Sequence, residues 1–207
     1  MSFLAAKDLT HAFKERPVLD HFSFEAEKGE CVSLMGPSGS GKTTVLRILC
    51  GLLVPDQGSV LLDGVDIAGR KPSERGMAMV FQNAALFPHT RVRDNIAYGM
   101  HRLGFSREEI REKTEAVADL LKIKEELNKY PGALSGGQLQ RAGIARALIR
   151  DPKILLLDEP FSSLDRQLRE ELIREIGNIQ KTRGITMVFV THDIQEAEML
   201  SDRILQL

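Results

Sequence analysis

Gly36-Pro37-Ser38-Gly39-Ser40-Gly41-Lys42-Thr43-Thr44 decides the fold. Its first eight residues satisfy GxxxxGK[ST]. They stand after the apolar run Cys31-Val32-Ser33-Leu34-Met35 and open a helical stretch that the periodicity carries from Lys42 to Leu53. Glycine lets the backbone curl until successive N–H groups point at one anion, and a helix start adds partial positive charge there. Lys42 supplies a mobile charge for the β and γ phosphates of a nucleotide, and the Thr43 hydroxyl can ligate Mg²⁺. The competing reading is a glycine-rich turn that merely precedes a lysine. At average residue usage that match arises in about one chain in a hundred of this size, and the strand–loop–helix context makes it rarer. An α/β fold that binds nucleotide is expected.

Outward from the loop, short apolar runs alternate with helical stretches. Val60-Leu61-Leu62 precedes the turn signal Asp63-Gly64, and Gly76 to Phe81, Ile154 to Leu157 and Ile185 to Val190 read as strands. Apolar runs without strict alternation suit a parallel sheet covered by helices on both faces. Helices are expected from Ser106 to Leu127, where Ser106 and Glu109 have capping-box spacing, from Gln138 to Ile149, and from Arg166 to Lys181. Asp202 to Gln206 reads as a last strand. From about Asn83 to Pro131 the alternation lapses into mainly helical sequence, which suggests a helical subdomain inserted into the core. The first thirty residues, with Val18-Leu19 and Phe22-Ser23-Phe24, suggest a small antiparallel sheet.

Ile154-Leu155-Leu156-Leu157 ends in Asp158-Glu159. A parallel strand delivers its C-terminal residues to the ligand crevice, so both acids should emerge beside the phosphate loop. Side chains alternate along a strand, so the two should point differently. Asp158 suits the shell of a hydrated Mg²⁺, and Glu159 suits a general base for an attacking water. Alone, the pair could merely cap a strand; beside the loop the chemical reading prevails.

The 207 residues carry 28 Lys+Arg against 29 Asp+Glu, a net charge of -1, which excludes the strongly basic footprint of a nucleic-acid binder. The two cysteines, Cys31 and Cys50, have no metal spacing and make no disulfide framework, which favours a reducing compartment. No apolar run approaches the roughly 18 residues of a membrane span, and no signal peptide is visible at the N-terminus. A soluble, cytosolic chain of enzyme size is expected.

Leu134-Ser135-Gly136-Gly137-Gln138, followed by Leu139-Gln140-Arg141, resembles the LSGGQ signature of the ATP-binding cassette (ABC) ATPases. The resemblance spans essentially the whole chain. It implies a P-loop NTPase with a RecA-like core, an ABC antiparallel β-subdomain and an inserted helical subdomain, with residues 1–82 and 152–207 forming the core and β-subdomain and about 83–151 the helical part. It further implies that Phe13 stacks on adenine, where the family more often has Tyr, although a plain packing role for Phe13 stays open. The ATP cradle is then Phe13 with Gly36 through Thr44. Gln82 resembles the glutamine that contacts Mg²⁺ and water and joins the site to the helical subdomain. His192 resembles the switch histidine at the γ-phosphate, and Ser163-Leu164-Asp165 the D-loop across a cassette interface. The other histidines, His11, His21, His89 and His101, read as surface or packing residues.

Ser135, Gly136 and Gly137 open a helix, so their N–H groups and the Ser135 hydroxyl form a second anion site. The resemblance implies a head-to-tail dimer in which Ser135, Gly136, Gly137 and Gln138 of one copy cover ATP held by the other. Phe81-Gln82-Asn83-Ala84-Ala85-Leu86-Phe87-Pro88-His89 and Glu159 to Asp165 resemble the bacterial importer form. That implies an ATP-hydrolysing subunit at the cytoplasmic face of the membrane, held there by separate permease subunits. Leu86 and Phe87 would meet the permease, or would pack inside the helical subdomain. The alternative is a non-transport ABC ATPase, such as one of the division machinery, although those more often read DEPTGNLD at the D-loop. Importers with this stretch often carry a C-terminal regulatory domain, whereas the sequence here stops at Leu207.

Overall fold

Three runs, Cys31–Met35, Ile154–Asp158 and Thr186–Val190, are buried at every position. A strand with one wet face would alternate, so these must lie mid-sheet with cover on both sides. The computed structural model, which describes residues 2–14 and 16–207, places them there. Its strands are β1 (Leu4–Phe13), β2 (Arg16–Ala26), β3 (Cys31–Met35), β4 (Gln57–Leu62), β5 (Val65–Asp66), β6 (Met77–Val80), β7 (Ile154–Asp158), β8 (Thr186–Val190) and β9 (Arg203–Gln206). Its α-helices are α1 (Lys42–Leu49), α2 (Val92–Ala97), α3 (Arg107–Leu120), α4 (Gly136–Leu148), α5 (Arg166–Arg183) and α6 (Ile194–Leu200).

A five-stranded parallel sheet has the order β6-β7-β8-β3-β9, and a four-stranded antiparallel sheet the order β2-β1-β4-β5. The alternating side chains of β7 feed two separate cores. Leu155 and Leu157 join Phe161, Phe189 and the inner faces of α2 to α5. Ile154 and Leu156 join α1 and the antiparallel sheet. At about 25 cal/mol per Å² of apolar surface removed from water, these two clusters are the main stabilising term. Cys31 and Cys50 are both free and buried.

Several boundaries differ from the sequence reading, each for a tertiary reason. The helix expected to reach Leu53 ends at Leu49, because Gly51 turns left-handed (φ 79°) and the Arg75 guanidinium donates to the last carbonyls, of Ile48 and Leu49. The helix expected to reach Leu127 ends at Leu120, where Lys122 adopts φ 54° and reaches Glu175 on α5 at 2.5 Å. The antiparallel sheet is not confined to the first thirty residues: β4 joins it, with Leu62 opposite Leu4. β6 closes at Val80, so Phe81 and Gln82 lie beyond the strand. Helix α6, which the sequence reading did not include, is capped by the Asp193 side chain accepting from the Gln195 N–H at 2.8 Å.

Candidate active site

The loop from Gly36 to Gly41 leaves β3 and ends at the N-cap of α1. Gly41 is left-handed (φ 99°), and a Cβ there would lie 2.7 Å from a Leu19 methyl and 2.9 Å from the Val18 carbonyl, so only glycine lets the loop seat on β2. The Lys42 ammonium donates to the Gly36 and Pro37 carbonyls, each at 2.8 Å. The Ser40 N–H donates to the Pro37 carbonyl at 3.2 Å, and its buried hydroxyl has no partner among the described residues. A cavity of about 420 Å³ opens on Ser38, Gly39, Gly41, Lys42, Thr43 and Thr44 at one end and on Phe13 at the other, with Glu159 beside them. Phe13 is 45% exposed and stands edge-on to His11 at 4.8 Å. Its ring is therefore open to a planar ligand. Arg16 and Val18 line the same cavity. The sequence reading missed both, since neither belongs to a motif and only the closing of β2 over the loop brings them in.

The two acids diverge because β7 ends at Asp158 and Glu159 turns left-handed rather than continuing the strand. Asp158 is buried and accepts from the Thr43 hydroxyl at 2.8 Å. Burial pushes its carboxyl above the ordinary range; the Thr43 hydrogen bond opposes this, and the nearby Glu159 charge adds to it. Glu159 is left-handed (φ 45°), a conformation that costs a non-glycine residue about 1–2 kcal/mol. Its backbone is fixed by its own N–H donating to the Val190 carbonyl at 3.0 Å and by the Ser162 hydroxyl donating to its carbonyl at 3.0 Å. The turn swings the carboxylate to 3.4 Å from the Gln82 amide nitrogen and 3.5 Å from His192 Nδ1. Gln82 also donates to Ser162 Oγ at 3.3 Å. Residues from three strand ends thus meet at one carboxylate that borders the cavity.

Among the described residues no group of three or more His, Cys, Asp or Glu could hold a metal ion. A hydroxyl and a carboxylate oxygen 2.8 Å apart instead form the hard, incomplete donor set of a Mg²⁺ that keeps waters and shares phosphate oxygens. Thr43 and Asp158 fit that ion.

The residues expected to form a second anion site stand at the start of α4. Ser135 caps α4: its Oγ accepts from the Gln138 N–H at 3.3 Å, and the Gln138 side-chain Oε1 accepts from the Ser135 N–H at 2.9 Å. The Gln138 amide nitrogen donates to Glu126 at 2.8 Å, so both ends of that side chain are engaged within the fold. A Cβ on Gly137 would lie 2.3 Å from a Leu168 methyl, so this glycine lets α4 press against α5. None of residues 135–138 lines the cavity at the phosphate loop. Asp165 caps α5, accepting from the Leu168 N–H at 3.0 Å. Arg169 then joins the Leu164 carbonyl (3.0 Å) to Asp193 (3.1 Å), the neighbour of His192. Leu86 packs against the helical core, whereas Phe87 is exposed and contacts Tyr98 at 4.7 Å.

With β8 inserted between the loop strand β3 and the acid-bearing strand β7, this is a P-loop nucleotide-binding cassette. The family model for ABC transporters matches residues 19–162, and the chain belongs to that family. It is 45% identical to the spermidine/putrescine import ATP-binding protein PotA of Nitrosomonas europaea, over 99% of this chain and 56% of that protein. It is 40% identical to the Fe(3+) ions import ATP-binding protein FbpC of Escherichia coli O157:H7, over 99% and 59%. The chain therefore spans just over half the length of these relatives. Among solved structures, the dimeric post-hydrolysis state of the ATP-binding cassette MJ0796 with ADP and Pi superposes with a TM-score of 0.89 at 33% identity, covering 99% of this chain and 94% of that one. CbiO1 of Clostridium perfringens, part of the transporter complex cbiONQ, gives 0.89 at 28% identity, covering 99% and 84%.

Proposed function

We propose that this chain is the ATP-binding and ATP-hydrolysing subunit of an importer, working as one of two cassettes that close on two ATP molecules. The observation that carries the hydrolytic reading is the strained Glu159, whose carboxylate is held between Gln82 and His192 at the rim of the cavity. Phe13 stacks on the base, and the loop N–H groups with Lys42 cradle the phosphates. Mg²⁺, held through Thr43 and Asp158, would neutralise charge on the β and γ phosphates. Glu159 accepts a proton from the attacking water, Gln82 orients that water, and His192 steadies the γ-phosphate. Ser135, Gly136 and Gly137 of a second copy close the site from the opposite side.

Among the described residues no helix is long and apolar enough to cross a membrane, and in this reading separate permease subunits supply the membrane path. The chain would sit at the cytoplasmic face, with the exposed Phe87 and Tyr98 turned to a permease subunit. The names of the import relatives support this reading. The test is Glu159→Gln: an amide keeps the shape and one acceptor oxygen but accepts no proton. ATP turnover should fall about 10²- to 10⁴-fold while ATP binding stays within about twofold. Turnover at the wild-type rate would remove Glu159 from the role of base.

A further inference from the structure

Gln82 is followed, after Asn83, by two consecutive left-handed alanines, Ala84 (φ 53°) and Ala85 (φ 48°). Each costs about 1–2 kcal/mol relative to ordinary backbone, so the turn persists only because something holds it. The holder is Arg146 on α4. Its guanidinium donates one arm to the Ala84 carbonyl at 2.6 Å and the other to the Ala85 carbonyl at 2.7 Å, and it lies 5.9 Å from the Phe87 ring centre. Among the described residues it has no carboxylate partner within ion-pair distance, although burial disfavours its charge. One turn earlier on the same helix face, Gly143 leaves the space for the turn: a Cβ there would lie 2.8 Å from the Ala84 Cβ. Two features of α4, a gap and a fork-shaped cation, thus grip one strained turn. The turn is two residues from the side chain that donates to Glu159.

We infer that Arg146 is a positioning residue for hydrolysis: by clamping the Ala84-Ala85 turn to α4, it makes the placement of the signature helix set where Gln82 meets Glu159. This rests on the hydrolytic reading of Glu159 above. Ser135 caps α4 about 16 Å from Arg146, at 1.5 Å per residue. A shift of that helix is therefore delivered rigidly to the turn. A lysine could offer only one compact ammonium where two carbonyls are bridged, so it should not replace the arginine.

The experiment compares wild type, Arg146→Met, Arg146→Lys, Gln82→Ala and the double variant Arg146→Met/Gln82→Ala, measuring kcat and KM for ATP together with Tm. Arg146→Met should lower kcat about 10- to 100-fold with KM within about twofold. Arg146→Lys should recover little of that loss. The double variant should be no more than about twofold slower than Gln82→Ala alone, because both changes remove the same alignment. Multiplied losses in the double variant, or wild-type turnover in Arg146→Met, would overturn the inference. If Arg146→Met does not fold, Gly143→Ala displaces the turn without breaking the helix, and the same epistasis with Gln82→Ala decides. A wild-type chain without any turnover would instead overturn the hydrolytic reading itself.

Discussion

Asp158 is a residue whose function opposes the stability of the fold. Its carboxylate is desolvated at the end of β7, and its proton affinity is raised by burial. The folded chain therefore holds that proton at pH values where the unfolded chain has lost it. Between the ordinary carboxylate pKa and the raised one, stability falls as pH rises; above that window the cost of a buried charge is borne in full. Asp158→Asn keeps an oxygen for the Thr43 hydroxyl and removes the charge. It should be more stable than wild type near neutral pH by about 1 kcal/mol, seen as a Tm higher by about 2–4 °C, with the gap closing toward acid pH. The same variant should lose Mg²⁺-dependent turnover. A lower Tm at neutral pH would show that the charge stabilises the fold. At this scale the site was largely legible: Asp158, Glu159 and His192 each follow or end an apolar run, and Lys42 and Thr43 stand in a loop whose spacing is unusual. Arg16, Val18 and Arg146 were not legible, because what they touch is set by approach of distant segments.

Helix α4 is held to its neighbours by charge as well as by packing. Arg141 is almost buried, donates to the Leu121 carbonyl at 3.1 Å and forms an ion pair with Glu175 of α5. Lys122 approaches the same carboxylate and also the exposed Glu171 at 3.4 Å. Removing one partner of a buried pair strands the other, whereas removing an exposed partner costs little. Glu175→Gln should therefore lower unfolding stability by about 2–3 kcal/mol, and Glu171→Gln by less than about 1 kcal/mol, in urea titrations of the two variants. Equal losses would mean that the carboxylates act as an interchangeable surface patch. Elements whose own residues carry the pattern were legible in the sequence. β3, β7 and β8 announce themselves through unbroken apolar runs, and α5 through periodicity ending at the left-handed Gly184. The ends of α1 and α3, at Leu49 and Leu120, are set by Arg75 and by Glu175, which lie 26 and 55 residues away along the chain, so no local pattern could contain them.

Across the whole molecule, the loop and the start of α4 are both formed, and none of residues 135–138 lines the cavity at the loop. Ser135 instead caps α4, whose inner face packs in the core cluster of Leu155, Leu157 and Phe189. In the proposed two-cassette reading, a triphosphate gripped by both joins two copies, and a twofold arrangement makes two identical composite sites. The consequence is a complementation that no monomeric site can give. Lys42→Ala spoils only the cradle, and Ser135→Arg blocks only the signature with a bulky cation. Each variant alone should hydrolyse ATP at a small fraction of the wild-type rate. Mixed one to one, random pairing makes half of the dimers mixed, each with one intact site, so about a quarter of the wild-type sites return if the sites work independently. Turnover that stays at the level of the separate variants would mean that the two sites must fire together or that both halves belong to one chain. Where turnover does return, repeating the mixture with Glu159→Gln in the Ser135→Arg chain tests whether it comes from the composite site. That chain holds the intact cradle, so the regained rate should vanish while nucleotide-dependent dimer, measured by sedimentation, persists.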